Sequence, residues 1–489
     1  MIEKILNFIR TEALKFKCEP TSLLTIHCPC KKGIEFNFSY VGDPQLFDYL
    51  LAHIPHGSLF LEVEGVERWI EIPKFDGRPV EPSAVSISNQ TVRAEIDGVR
   101  EKFCKWLKLE DNKIIDAVFG CIAANLQEGD PVSVHVVGPP SYAKTEILRS
   151  TFSCPKVYAL SSLTPQTFIS GLKEKDKVKN SLLQTLTGRG KVVIVIKDFT
   201  TVLEMRNESR QEILSQLREI ADGDYRKAFG TGKEVVWTGK LGMITGVTPV
   251  IDQHHSVRQV LGERFLNYRL PQNDPKAIAE RALKVAGHEK EMRNELAEAT
   301  RAFFEKLKGR NICIGSAIED KLISLSSFVA VGRTAVSRDR YTQAVNYLPE
   351  AEGPPRLMKQ LSTLGRGIAL VQGKGEVDEG VYNILKKVGR DTLPSYRNLI
   401  FGEMWMKGIK GDRWEKLRAL GELFKSPVAT IRLYLEDLMM LGLVERKVEG
   451  EQRSYSDSDK VPYLWRLSEN CCDLIQGSGV YERGENGAS

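Results

Sequence analysis

The sequence predicts an α/β protein organised on a parallel β-sheet, and three observations carry that prediction. A short apolar β run at 132–137 feeds a Gly-Pro-Pro loop and then a helix start near Lys144. A second apolar β run from Lys191 ends in a charged pair, Lys197-Asp198, ahead of Phe199. Strand-like and helix-like stretches keep alternating to about Pro271, the order that βαβ units of a parallel sheet require.

In chain order, residues 1–100 read as an N-terminal α/β recognition domain. It opens on a short amphipathic helix, continues through β-rich runs at 23–28, 34–40 and 58–64, and closes at a linker over 75–82. From Val92 the apolar residues fall at helix spacing, with Phe103, Leu107, Ile114, Ile115, Val118 and Ile122. Residues 101–273 hold the alternating core and 274–392 are mostly helical. Residues 393–475 form a compact helical unit with a terminal hairpin, and 476–489 read as a disordered polar tail.

Composition narrows the class. A chain of 489 residues suggests about three domains, and 42% hydrophobic with 27% charged residues describes a soluble globular protein with a large core. No apolar run approaches the roughly 18 residues of a membrane helix, and the charged N-terminus lacks a signal-peptide pattern. The expectation is a cytoplasmic protein with no membrane partner. Nine scattered cysteines do not form a secreted disulfide framework. Cys18, His27, Cys28 and Cys30 are spaced too tightly for a zinc site and have no second knuckle. A net charge of +5 permits nucleic-acid contact without demanding it, so any such argument rests on local features.

The loop Gly138, Pro139, Pro140, Ser141, Tyr142, Ala143, Lys144 and Thr145 sits between a buried strand and a helix, the context in which a GxxxxGK[ST] match carries meaning. Backbone N–H groups of such a loop wrap phosphates. Lys144 would contact the β- and γ-phosphates of ATP, and the Thr145 hydroxyl would ligate Mg²⁺. Ala143 stands where glycine is expected, so a methyl group enters a tight backbone turn. The strand ending at Lys197-Asp198 should bring a carboxylate to the metal and another to the attacking water. Aligned on the strand end, Asp198 is the catalytic acid; slid by one residue, it is the metal ligand. Either register has one carboxylate fewer than the standard pair, which favours nucleotide binding over rapid hydrolysis.

Further along, a glycine-punctuated hairpin over 230–242 leads into a buried strand ending in Thr245, and Gly262-Glu263-Arg264-Phe265 and Pro354-Pro355-Arg356 follow. Together with the loop and the acidic strand end, these segments resemble the AAA+ superfamily over about 102–388. The likeness is to members with a hairpin before the sensor-1 strand, the minichromosome-maintenance and MoxR-type ATPases. The strings KDFTT, LREIADG, FGTGK, GVTPVID and LGERF are similar to bacterial and phage-associated ATPases. The resemblance implies that Thr245 is the sensor-1 residue and that Arg264 is the arginine finger, with Arg269 second. It also implies that Arg356 is the sensor-2 arginine on a helical lid.

In the C-terminal unit a helix over 414–424, a helix over 428–440 and strands at 443–448 and 462–467 give a winged-helix layout. Its second helix resembles winged-helix recognition helices. Thr430, Arg432 and Tyr434 would then face a DNA groove, with Lys447 and Arg453 near the wing for phosphates. The fold expected is therefore a P-loop AAA+ parallel sheet with a helical lid, an N-terminal α/β domain and a C-terminal winged helix. Its expected function is nucleotide-dependent DNA remodelling, helicase loading or translocation by a ring or filament of copies. The alternatives are a MoxR-like chaperone whose N-terminal domain selects protein clients, and a weakly hydrolysing nucleotide-gated scaffold.

Overall fold

The computed structural model describes residues 23–27, 35–39, 58–63, 66–71, 83–168, 182–228, 234–255, 263–271, 274–339, 341–448 and 463–482, with side chains from residue 92 onward. They fall into two units, 1–84 and 85–489.

In the first unit β1 (Leu23–His27), β2 (Glu35–Ser39), β3 (Ser58–Val63) and β4 (Val66–Glu71) form one antiparallel sheet in the order β2-β1-β3-β4. Thr25 pairs with Asn37 on one side and Glu62 on the other, which makes β1 an interior strand. The β-rich runs at 23–28, 34–40 and 58–64 correspond to β1, β2 and β3. β4 has no counterpart in the sequence reading, because three of its six residues are charged; pairing with β3 along its whole length holds it. The expected opening helix and the Cys18, Cys28 and Cys30 thiols lie outside the described residues.

The chain then runs through α1 (Ser83–Trp106), α2 (Lys113–Leu126), β5 (Ser133–Val137), α3 (Lys144–Ser150), β6 (Val157–Leu160), α4 (Leu182–Gly188) and β7 (Val193–Ile196). Next come α5 (Thr200–Leu203), α6 (Asn207–Asp222), the antiparallel pair β8 (Asp224–Ala228) and β9 (Glu234–Thr238), β10 (Gly242–Val247) and β11 (Phe265–Arg269). β5, β6, β7, β10 and β11 make a five-stranded, wholly parallel sheet in the order β11-β5-β10-β7-β6.

The chemistry of these runs explains their place. β5, β7 and β10 are buried along their whole length, as parallel strands covered on both faces are. Alternation then sorts their side chains into two cores. Val193, Val195, Val134, Val136 and Ile244 pack with α1 and α2, while Ile194, Ile196 and Met243 pack with Leu186, Ile213, Leu217 and Trp237.

The helical region follows as α7 (Pro275–Val285), α8 (Glu289–Lys306), α9 (Ser316–Arg333), α10 (Pro355–Val371) and α11 (Glu379–Thr392), with short parallel strands β12 (Cys313–Ile314) and β13 (Glu376–Val377). Local signals set its boundaries: the Asp274 carboxylate accepts the Lys276 N–H with Pro275 in the first turn, and Asp378 accepts the Val381 N–H. α10 lies directly on α2, where two glycines let the backbones approach. A Cβ at Gly120 would stand 2.9 Å from the Ile368 nitrogen, and one at Gly367 would strike the Gly120 carbonyl oxygen.

The last region comprises α12 (Ser395–Met406), β14 (Glu415–Lys416), α13 (Leu417–Leu423), α14 (Val428–Met440), β15 (Val444–Val448), β16 (Tyr463–Leu467) and α15 (Glu469–Ser478). Its three strands form an antiparallel sheet in the order β14-β16-β15. α14 spans the residues read from sequence. The helix expected over 414–424 starts later, because 415–416 pair with β16 before α13 begins.

Two other expectations are corrected. The first hairpin arm, 224–228, lies upstream of the 230–242 window and the second, 234–238, inside it, while Gly242 belongs to β10. It is glycine because a Cβ there would collide with the Asn125 amide. Residues 476–482 belong to the fold and not to a tail: α15 runs to Ser478, and the Tyr481 ring meets Phe328 edge-on at 6.1 Å while its hydroxyl donates to Asn398 Oδ1 at 2.9 Å. Residues 483–489 lie outside the described residues.

Because the α2–α10 crossing has no room for a methyl group, Gly367→Ala forces the two helices apart. Overpacking of this kind costs about 1–3 kcal/mol, read as a lower urea midpoint with an unchanged m-value.

Candidate functional site

Three segments arrive at one edge of the parallel sheet. β5 runs into the loop 138–143, β7 into Lys197 and Asp198, and β10 into Thr248. Consecutive carbonyls of β10 hold the first two: the Gly138 N–H donates to Val247 O at 3.1 Å, and the Phe199 N–H donates to Gly246 O at 2.7 Å. Gly246 has no alternative here, since a Cβ would run into the Lys197 carbonyl oxygen.

The loop turns through two left-handed residues, Ser141 at φ 65° and Ala143 at φ 60°. Holding an L-residue there costs about 1–2 kcal/mol, so Ala143 keeps the conformation that a glycine would adopt freely. Pro139 and Pro140 have no N–H to offer, which leaves the donors of 141–145 to face a ligand. Lys144 begins α3 and folds back on the loop, its Nζ donating to the Gly138 and Pro139 carbonyls. Burial pushes its pKa below the ordinary lysine value, and the Asp198 charge opposes the shift.

A cleft of about 530 Å³ opens above this edge, within the range of small-molecule sites. Pro140, Ser141, Tyr142, Ala143, Lys144, Thr145, Lys197, Asp198, Gly246 and Thr248 line its floor. Gly138 and Pro139 turn beneath the loop. The exposed Asp198 carboxylate accepts the Thr200 N–H through Oδ1 at 2.9 Å, which fixes its direction. Lys197 shares the floor, with its Nζ 6.0 Å from the Phe152 ring centroid. Glu146, in the first turn of α3, is engaged by the Arg293 guanidinium at 3.0–3.3 Å.

The opposite wall went unread in the sequence. Trp106 and Leu107 at the end of α1, with Ile278, Val285 and Met292 of α7 and α8, make it apolar, and Arg281 adds a guanidinium. The Pro275 start and the Asp274 cap mark α7 as a helix. Nothing in its sequence shows which face it presents, because none of its residues is fully buried.

The other expected site residues stand elsewhere. Thr245 is wholly buried inside β10 and hydrogen-bonded to the His135 ring. The strand continues through Gly246 to Val247, so Thr248 is the residue that reaches the cleft from its end.

Arg264 precedes β11 and lies at the far end of the sheet, because Phe265 pairs with Ser133 at the start of β5. At about 3.3 Å per residue, that is some 16 Å along the strands from the loop. It donates twice to Asp222, at 2.8 and 3.0 Å, and its Nη1 is buried without a partner among the described residues. Arg356 is near Arg264 and not at the cleft: burial first, then repulsion from Arg264, lowers its pKa, and Glu352 lies 3.5 Å from its Nη1. Its expected reach to a nucleotide in its own chain is corrected accordingly, since α10 delivers its first turn to the opposite end of the sheet. Arg269 is committed to structure, paired with Asp252 at 2.8 and 3.0 Å and donating to the Asp391 carbonyl at 2.8 Å.

Of the residues expected to meet DNA, Thr430 is half-buried and Arg432 is exposed but pairs with Glu436 at 2.8 Å. Tyr434 does not face a groove: it stacks on Tyr396 with centroids 4.9 Å apart. Lys447 is exposed, its Nζ 4.4 Å from the centroid of Trp414. Arg453 lies outside the described residues.

Two outcomes test this geometry. Phosphate binding demands the Lys144 ammonium, so affinity for a nucleoside triphosphate falls as pH climbs through the lowered Lys144 pKa. The decline starts below the pH at which an ordinary lysine, near 10.4, loses its proton. Lys144→Arg removes the decline in a titration of Kd between pH 7 and 10. Ala143→Gly relieves the left-handed turn, which is present without a ligand, and raises stability by up to about 1 kcal/mol, read as a higher urea midpoint.

No protein-family model matches the chain, and no curated protein sequence matches it, so the functional reading rests on the site itself.

Proposed function

We propose that the chain is an ATP-binding AAA+-type protein that couples nucleotide state to DNA remodelling, helicase loading or translocation. The observation that carries the reading is the meeting of the 141–145 N–H groups, Lys144 and Asp198 on the floor of one cleft. The sheet order supports it: β10 lies between the strand that feeds the phosphate loop and the strand that ends in the acid. Lys144 and the loop N–H groups would hold the phosphates, and the apolar wall from Trp106 to Met292 would take the base.

The Thr145 hydroxyl and Asp198 carboxylate are oxygen donors of the kind Mg²⁺ takes, and one carboxylate with phosphate oxygens and waters suffices for it. When bound, the ion would neutralise charge developing on the phosphates. The chain's own contribution is positional. Lys144 orients the phosphates from below and Arg281 from the helical wall, while Thr248 and Asp198 face the space where a water would stand. Lys197 stands beside Asp198, so this strand end brings one carboxylate and not the standard pair, and Glu146 is held by Arg293. This favours slow turnover, so the nucleotide is read as a gate.

Arg264 and Arg356, clustered at the far end of the sheet, would serve a neighbouring copy's nucleotide in a ring or filament. Of the two, Arg356 is solvent-exposed and open to such a neighbour. The C-terminal succession of helices followed by the β15–β16 pair supports a winged helix as the DNA-contacting part.

The test is ATP binding and steady-state hydrolysis with and without DNA. Lys144→Ala weakens Mg-ATP binding about 10- to 100-fold, the value of losing a charged hydrogen bond to phosphate. Asp198→Asn keeps most of the binding and lowers turnover on the order of 100-fold. Unchanged ATP affinity in Lys144→Ala, or hydrolysis indifferent to DNA in a chain that binds none, would overturn the reading.

A further inference from the structure

Charge in the C-terminal region is not where a groove-reading helix would have it. α14 carries one basic side chain, Arg432, against Glu436 and Asp437, and all three are tied up: Arg432 with Glu436, and Asp437 with Arg338 at 2.7 Å. By contrast, 407–416 together with β15 and β16 carry seven basic side chains and three acidic ones. A polyanion approaching this region meets its positive potential on the sheet side.

The strand register shows which of these residues share a face. Lys447 lies opposite Leu464, Leu464 opposite Lys416, and Glu445 opposite Arg466. Trp465 and Leu467, one residue out of phase, are buried. By the two-residue period, Lys416, Lys447 and Arg466 therefore stand together on the outward face. Trp414 anchors that face. The Lys447 ammonium and the Arg466 guanidinium lie 4.4 and 4.3 Å from its ring centroid. Arg466 also donates to the Gly411 carbonyl and pairs with Glu445 at 2.7 Å, so the cations are held in place before any ligand arrives.

From this placement we infer that the outward face of the β14-β16-β15 sheet, and not α14, is the surface that grips nucleic acid, through the phosphate backbone. The inference rests on the DNA reading above and specifies where the contact is made. Trp414 is already engaged by two cations, so its part is to position charge and not to stack on a base. The contact is then sequence-independent and common to single strands and duplexes. An extended peptide would need side-chain pockets, and a membrane an apolar insert. The described outward face offers neither beyond the half-buried Leu464 and Trp414, whose ring is covered by the two cations.

The experiment is fluorescence anisotropy of the full chain with a labelled 30-nucleotide single strand and the matching duplex, across a salt series. The wild type binds both. Lys416→Ala/Lys447→Ala weakens binding roughly tenfold near 0.1 M salt and flattens the log–log salt slope by about two for duplex. Arg432→Ala changes affinity less than twofold. Circular dichroism of the variants guards against unfolding.

Loss of binding in Arg432→Ala with none in the double variant would overturn the inference while leaving the DNA reading intact. A wild type that binds neither nucleic acid, or binds only phosphatidylserine vesicles through these lysines, would overturn both.

Discussion

Two neighbouring carbonyls, those of Gly246 and Val247, fix the working edge of the parallel sheet. One accepts from Phe199 and the other from Gly138, so the acidic strand end and the phosphate loop hang on adjacent links of one strand. That is possible because β10 is flanked by β5 and β7 in parallel register, with Thr245 beside His135 and Ile196. It also requires that residue 246 have no side chain. The distance between Lys144 and Asp198 is therefore set by backbone bonds and not by flexible side chains, which is the preorganisation that charge stabilisation needs.

The parts of the site legible in the sequence were those whose chemistry is local. A buried run followed by a loop and Lys144-Thr145, and another ended by Lys197-Asp198, announce themselves within a dozen residues. The parts that were not legible depend on packing. Gly246 looks like a strand end but is a close-approach glycine inside β10, so the threonine that lines the cleft is Thr248 and not the expected Thr245. Arg356 opens a well-marked helix, yet which end of the sheet that helix reaches depends on the α2–α10 crossing, which a single sequence does not reveal. Tyr434 has a plausible groove-facing spacing and is instead packed on Tyr396. Trp106 and Arg281 are distant in sequence and converge only when α1 and α7 meet over the loop.

Ala143 and Lys197 press in the same direction. The first keeps a methyl group in a left-handed turn that phosphates would approach closely on the proposed reading, and the second puts a cation beside Asp198 in place of a second carboxylate. On that reading neither would block a phosphate, and both would handicap its hydrolysis. Arg281 on the opposite wall and Lys108 nearby add positive charge to the cleft, which on the proposed reading would favour retention of a triphosphate over its turnover.

The bonds around Asp437 and Arg269 bear on how motion would travel. Asp437 is clasped by Arg338 from the stretch after α9 and approached by Arg397 at 3.7 Å, while Arg397 donates to the Gly332 carbonyl at 2.9 Å. Arg269, at the end of β11, is tied to Asp252, which in turn accepts from Ser395 at the start of α12. The C-terminal region is thus riveted to the helical layer and to the sheet edge, not slung on a tether. It would follow any tilt of the helical layer as one stiff piece, and slack in any of these rivets would uncouple the two.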